Sequence, residues 1–398
     1  MIRLKGTRFN DTASFFDHAV GITGYYGFVP MDTLPRFAPR HGDGPLKQKL
    51  EEELLFARRE ERALAAAARK SVAGMPPDGH AALAWRATAG TSAASPSLEL
   101  HVLGVPSGIA EALLIVVADA IAREAGIEHR SLVLNNVGST ESFSRFVRDV
   151  GTYLRKHLES ISPTLRPRAA TDPLGTLVQL IERKHPAVPR APQAMEYLTE
   201  EERRRFWELL EYLEACGVSY ELDGQVLGSK DVWTHTLFEL SVTDKESGEK
   251  EPFAFGGRYD PLVSRIARVP VSAAMVTIIC EPRGSGYKPS VKPAATSPAV
   301  YFAHLGPEAR RRTLGILENL RAARIPVHQG IWHERIGEQM AKARELAVPY
   351  ILIMGHKEAV EGTVLVREVA TNSQEAIPVP DLTGYLRRRR LGLPAATR

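Results

Sequence analysis

The sequence predicts an α+β protein, with an antiparallel-sheet body that carries a helical insertion, followed by a small C-terminal α/β domain. Three observations support this. A hairpin-like pair of alternating segments, Thr234–Thr243 and Glu251–Phe255, flanks a Lys245-Glu246-Ser247-Gly248 turn, as an antiparallel sheet requires. A mainly helical block runs from Ser139 to about Cys216, broken near Pro163, Pro167 and Asp172-Pro173. Beyond residue 297 strand-like and helix-like segments alternate, as in an α/β unit. With 398 residues, of which 44% are apolar and 25% charged, the chain has material for two or three domains at roughly 150 residues each.

Thr12 to Val20 has helical spacing, and Gly24–Pro30 reads as the strand after it. Lys47 to Lys70 is rich in Ala, Glu and Arg and predicts a long helix. Its pairs Lys49 with Glu53 and Arg58 with Glu61 place the cation first, the weaker orientation. Gly74–Gly79 is a loop. Strands are expected at Ala82–Ala87 and Leu98–Leu103, joined by the small polar loop Gly90–Pro96, and then an apolar helix over Ile109–Ala125. Val218–Leu222 is a further strand. Glu281–Ser297 lacks periodicity and is rich in Pro, Gly, Ser and Lys, which predicts a linker. The last hundred residues give strands at Val300–Ala303, Pro326–His328, Tyr350–Met354 and Thr363–Glu368, with helices at Pro307–Ala323 and Ile336–Leu346. The boundaries are thus 1–280 for the body (insertion about 139–216), 281–297 for the linker and 298–398 for the last domain.

Composition excludes several classes. No apolar run reaches the ~20 residues that span a bilayer, and the first residues lack a secretory signal, so a cytoplasmic protein without a membrane role is expected. Cys216 and Cys280 cannot build a disulfide framework or a multi-cysteine zinc site, and no metal site is predicted. The formal charge is +4. It is concentrated in residues 298–398, where 15 Lys and Arg stand against 10 Asp and Glu, a balance that permits an anionic partner. The Arg387–Arg390 run reads as a solvated tail. His101 and His235 read as ordinary half-buried side chains. There is no GxGxxG, Walker loop, HExxH or GxSxG.

One motif stands out. Phe255-Gly256-Gly257-Arg258-Tyr259-Asp260 follows a strand, and a glycine pair there admits a ligand or another backbone at close range. Arg and Tyr beside it offer a bidentate cation and an aromatic ring with a polar tip. GGRYD is identical to a signature of the histidyl-tRNA synthetase family, and other segments resemble that family in collinear order. They are Lys5–Phe9, Leu132–Gly138, Asp172-Pro173-Leu174 and Thr234–Glu239. In the last domain Gln339, Ala341, Ala343, Tyr350–Gly355, Glu358 and Gly362-Thr363-Val364 resemble the family's anticodon-binding domain.

The resemblance implies a class II synthetase-like body, a homodimer through Tyr26 to Pro35, and tRNA as a partner. It implies a pocket for histidine or another small ligand, formed by Asp231, Trp233, Thr234, Gly256, Gly257 and Tyr259, and contacts to tRNA by Arg335 and Gln339. Family members activate histidine with ATP and Mg2+, using arginines to hold the phosphate charge of the transition state. The family's arginine before "GLDYY" falls on Gly228 and its tyrosines on Val232 and Trp233, while the "GLER" segment of motif 3 falls on Thr277–Cys280. Trp85-Arg86-Ala87-Thr88 keeps the first arginine of "FRxE" but replaces its glutamate with Thr88, and the residues that read histidine fall near Ser97 and His101. Only Arg86, Lys230 and Arg258 are left as candidates to carry phosphate charge. Each lost donor costs ~2.7–4 kcal/mol of transition-state stabilisation. The expectation is a paralogue deficient in adenylation that works as a tRNA-binding, ligand-binding or regulatory protein. The alternatives are a divergent but active histidine–tRNA ligase that uses ATP, and a histidine sensor like the regulatory subunit of ATP phosphoribosyltransferase.

Overall fold

A computed structural model describes residues 1–4, 7–34, 81–90, 95–243, 248–267, 269–284 and 298–389. The expected helix over 47–70, the loop 74–79 and most of the linker lie outside these residues, as do Lys5, Gly6 and Pro35.

The body is built on an eight-stranded sheet in the order β1-β2-β3-β8-β7-β6-β4-β5. Its strands are β1 (Val29–Pro30), β2 (Ala82–Thr88), β3 (Ser97–Leu103), β4 (Arg130–Asn136), β5 (Glu221–Leu222), β6 (Thr234–Thr243), β7 (Lys250–Arg258) and β8 (Ala273–Ile279). The short edge strands β1 and β5 pair parallel to their neighbours, and every other pairing is antiparallel. Alternation along the strands sorts their side chains into two cores. Leu98, Leu100 and Val102 of β3, with Ala274, Val276 and Ile278 of β8, face a helix α2 (Ile109–Glu124). That helix is apolar on nearly every side because it is enclosed, with the sheet on one flank and α1 (Thr12–Tyr25) and α6 (Glu200–Ala215) on the other.

Leu103, Ala273, Met275 and Leu237 face the opposite side. This core is completed by α3 (Thr140–Lys156), α4 (Arg166–Thr171), α5 (Pro173–Glu182) and α7 (Asp260–Ala267). The helices α3 to α6 fall in the stretch read as mainly helical, with α-helical breaks at 157–165 and 183–199 and a junction at Asp172-Pro173. α6 opens with a complete capping box, in which Thr199 and Glu202 satisfy each other's backbone N–H.

The last domain holds a five-stranded sheet, β10-β9-β11-β12-β13. Here β9 (Val300–His304), β10 (Val327–Gln329) and β11 (Tyr350–Met354) are parallel, and β12 (Thr363–Glu368) and β13 (Gln374–Pro378) add antiparallel strands. The helices are α8 (Pro307–Ala322), α9 (Ile336–Glu345), α10 (His356–Glu361) and α11 (Val379–Arg388).

Several expectations change. α1 runs on through Tyr25, so the first strand is only Val29–Pro30, because Gly24 and Tyr25 still close helical turns. β7 extends to Arg258, placing both signature glycines inside the strand. Thr277 to Ile279 continue β8 as a strand. Glu281 and Arg283, expected in the linker, are tied to the N-terminus: Glu281 N–H donates to Ile2 O at 2.9 Å and Arg283 N–H to Thr12 Oγ1 at 2.9 Å. α10, β13 and α11 were not expected. Arg387 and Arg388 close α11, so the arginine run begins inside a helix.

The last domain is docked on the body through α8, which lies along α6 and reaches the C-terminal end of α2 through ion pairs to Arg123 and Glu124. Arg310 pairs with Glu208 at 3.2 Å, and Arg311 with Glu211. Glu318 receives Arg123 and the Tyr26 hydroxyl, while Arg321 reaches Glu124. A Cβ at Gly315 would come within 2.8 Å of the Ala215 carbonyl oxygen, so the two helices meet at a point where only glycine fits.

Candidate functional site

The signature run Gly256–Asp260 turns its chemistry inward. A Cβ on Gly256 would lie 2.2 Å from Met275 O, and one on Gly257 2.4 Å from Thr236 O. The glycine pair therefore serves close passage of neighbouring strands. The Arg258 side chain is fully buried on the α2 face of the sheet. Its Nε and Nη2 donate to Glu111 at 2.9 and 2.7 Å, Nη1 to Val105 O and Nη2 to Ser107 O, each at 3.1 Å. Asp260 Oδ1 lies 3.4 Å from the guanidinium and accepts the Ala273 N–H at 2.6 Å. Burial alone would raise the pKa of Glu111, but Arg258 and then Arg205 hold it below the ordinary glutamate value. Arg258 thus bolts the end of β7 to the start of α2.

The opposite face carries the candidate site. Its centre is a line of four side chains: Arg86 on β2, Glu99 and His101 on β3, and Tyr259 just past β7. Arg86 of β2 stands directly across from Glu99 of β3. The pair is bidentate, with Nε to Oε2 at 2.9 Å and Nη2 to Oε1 at 2.7 Å. His101, next on the same side of β3, places Nε2 3.5 Å from Glu99 Oε2 and Nδ1 2.7 Å from the Tyr259 hydroxyl. His101 and Tyr259 are fully buried and Glu99 is 5% exposed, whereas the Arg86 side chain keeps 21% exposure. Burial pushes the Glu99 carboxyl up, but hydrogen bonds from His101 and Arg86 outweigh it and leave the pKa below the usual range.

Around this line the face is filled by apolar side chains. Leu227, Val232, Trp233, Leu237 and Met275 are each at most 5% exposed and belong to one cluster with Tyr259. The loop over 226–233 is anchored by Asn135, whose Nδ2 donates to Gly224 O and Val226 O, and by Arg265, which donates to Asp231 O. Thr234 Oγ1 donates to Gly138 O at 2.9 Å. His235 follows with a positive φ of 51°, at a break in the β6–β7 register. Burial drives its pKa down to about 4. Lys230 is exposed.

The structure therefore brings Trp233 and Tyr259 into one cluster on this face, with Arg86 at its edge. It places Gly256 and Gly257 within the sheet and Arg258 on the far side. Glu99 was overlooked and His101 was read as ordinary. Their pairing follows from the register of the β2–β3 hairpin, which the small polar loop between the strands does not fix.

Residues 299–389 match the anticodon binding domain family. Over 297 residues the chain is 28% identical to the histidine–tRNA ligase of Thermosynechococcus vestitus, covering 75% of this chain and 69% of that one. The chain is histidyl-tRNA synthetase-like. It is also 27% identical over 309 residues to histidine–tRNA ligase 1 of Shouchella clausii, covering 74% and 67% of the two chains. The apo histidyl-tRNA synthetase structure from S. aureus aligns over 94% of both chains, with 16% identity and a TM-score of 0.46.

In the anticodon-binding-like domain, Arg335 caps α9 with its side chain 85% exposed, 3.9 Å from Glu338. Gln339 is fully buried and spent internally: Oε1 accepts the His304 N–H at 2.9 Å, and Nε2 donates to His304 O and His333 O. Of this pair, Arg335 alone reaches solvent. A cleft of about 1280 Å³ opens between α1 and this domain, lined in part by Arg8, Tyr25, His328 and Trp332. Among the described residues no group of three or more His, Cys, Asp or Glu could hold a metal ion, and no helix is long and apolar enough to cross a membrane.

Proposed function

We propose that this synthetase-like chain does not make histidyl-adenylate efficiently and works as a tRNA-binding paralogue. The observation that carries the first half is the Arg86–Glu99 pair. A triphosphate needs cations that are free to follow the charge developing on its oxygens. Arg86, the cation that the resemblance assigns to the phosphate, is held on two prongs by a carboxylate of its own protein. Arg258 is committed to Glu111. Lys230 is a single exposed ammonium, and one such group does not replace two positioned guanidiniums. Val232, Trp233 and Met275, buried together on the same face, support this reading.

The second half is supported by the match of residues 299–389 to the anticodon binding domain and by the positive balance of 298–398. Histidine-dependent ATP–pyrophosphate exchange tests the first half: no exchange above background is expected from the purified protein, and a robust rate overturns it. For the second, tRNA affinity should fall steeply with added salt and weaken on Arg335→Glu. Binding that ignores salt counts against a nucleic-acid role. Stabilisation by free histidine in a thermal shift assay, without tRNA affinity, would favour a histidine sensor instead.

A further inference from the structure

We infer that Glu99 is a built-in counter-anion, a positioning residue that closes the Arg86 edge of this face to phosphate by occupying Arg86 permanently. The geometry is that of a bound ligand. Arg86 presents its planar fork edge-on to both carboxylate oxygens at 2.9 and 2.7 Å, the bidentate arrangement that a phosphate would otherwise receive. The carboxylate is fixed from two sides, since His101 approaches the same Oε2 and is itself held by the Tyr259 hydroxyl. Glu99 is nearly buried while the Arg86 side chain retains 21% exposure, so the cation can be reached from solvent and the carboxylate seals it from behind.

Any incoming phosphate must displace a partner that pays no translational entropy to be present. It must also leave a buried carboxylate beside its own negative charge. On this reading the protein carries a latent anion site, and one side chain keeps it shut. The inference rests on the reading of the body as unable to adenylate.

The experiment uses full-length protein and titrates inorganic pyrophosphate and ATP by calorimetry. Wild type should bind neither saturably in the millimolar range. Glu99→Gln, which keeps shape and removes charge, should gain binding tighter by about tenfold or more, weakened by salt. Arg86→Ala in the Glu99→Gln background should abolish the gain. A folded Glu99→Gln or Glu99→Ala protein that gains nothing overturns the inference, as does a gain that survives loss of Arg86. A separate readout on wild type is phenylglyoxal labelling followed by mass spectrometry. Arg86 should react no differently with and without pyrophosphate, and protection of Arg86 by pyrophosphate contradicts the proposal even where the variants do not fold. Exchange activity in wild type would sink the functional reading, whereas an inactive wild type with an unresponsive Glu99→Gln sinks only the role of Glu99.

Discussion

Truncating Arg258 to alanine strands a carboxylate. Glu111 would remain fully buried without its bidentate partner, and two backbone carbonyls would lose a donor. Breaking a buried pair on one side costs about 3–5 kcal/mol. Arg258→Ala should therefore lower the denaturation midpoint sharply, and Arg258→Lys, which cannot fork, should recover only part of that loss. Neither change should alter pyrophosphate binding at the opposite face in a Glu99→Gln background. The single histidines make a second prediction at this scale. Burial drives His235 and His304 each down to about 4, and each ring has an unpartnered nitrogen. A folded value below the ordinary 6.5 means that the neutral form supports the fold. The stabilisation is complete above pH 6.5 and is lost as pH falls toward 4, by up to about 3 kcal/mol per histidine. Urea melts between pH 7 and pH 4 should show the loss, and His304→Asn should flatten part of the slope. The GGRYD run was legible as special because its residue types are unusual together. Its use was not legible, because a glycine pair that admits a ligand reads the same as one that admits a neighbouring strand.

The helix pair α6 and α8 meets at Gly315, where an added methyl would press on the Ala215 carbonyl at 2.8 Å. Neither backbone can yield without shifting its helix. Gly315→Ala should cost about 1–3 kcal/mol by overpacking, despite alanine's better helix propensity. A thermal melt that rises on this substitution would show that the contact is looser than described. The same contact explains why most long elements could be read from the chain and their partners could not. α2 announces itself by its long apolar run and α8 and β6 by apolar periodicity, and their observed ends fall within a residue or two of expectation. The edge strands β1 and β5 lie within the expected strands Gly24–Pro30 and Val218–Leu222 but are much shorter, and the six-residue helix α10 is too short to show a period. β8 is apolar at every position except Thr277 because most of it is covered on both faces, so only its neighbours give its type away.

At the scale of the molecule, the apolar core around α2 continues through α6 into α8 and β9. A protein cut before residue 298 would expose that surface along with Glu208 and Glu211, which now face Arg310 and Arg311. Removal of 298–398 should yield an insoluble or dye-binding body. A soluble, cooperatively melting fragment would contradict the docking. Charge reversal at an exposed site such as Arg335 is thus a cleaner probe of tRNA binding than truncation. The change from an antiparallel pattern to alternating strands and helices was legible in the chain, and the two sheets agree with it. The docking was not, since nothing in α8's own spacing says which neighbour its buried side meets.

The seam along α8 also bears on how such a chain can change over generations. A lineage that dropped its final hundred residues would leave an oily flank bare to solvent. Solubility alone is reason enough for inheritance to keep that piece, whatever RNA does or does not touch it.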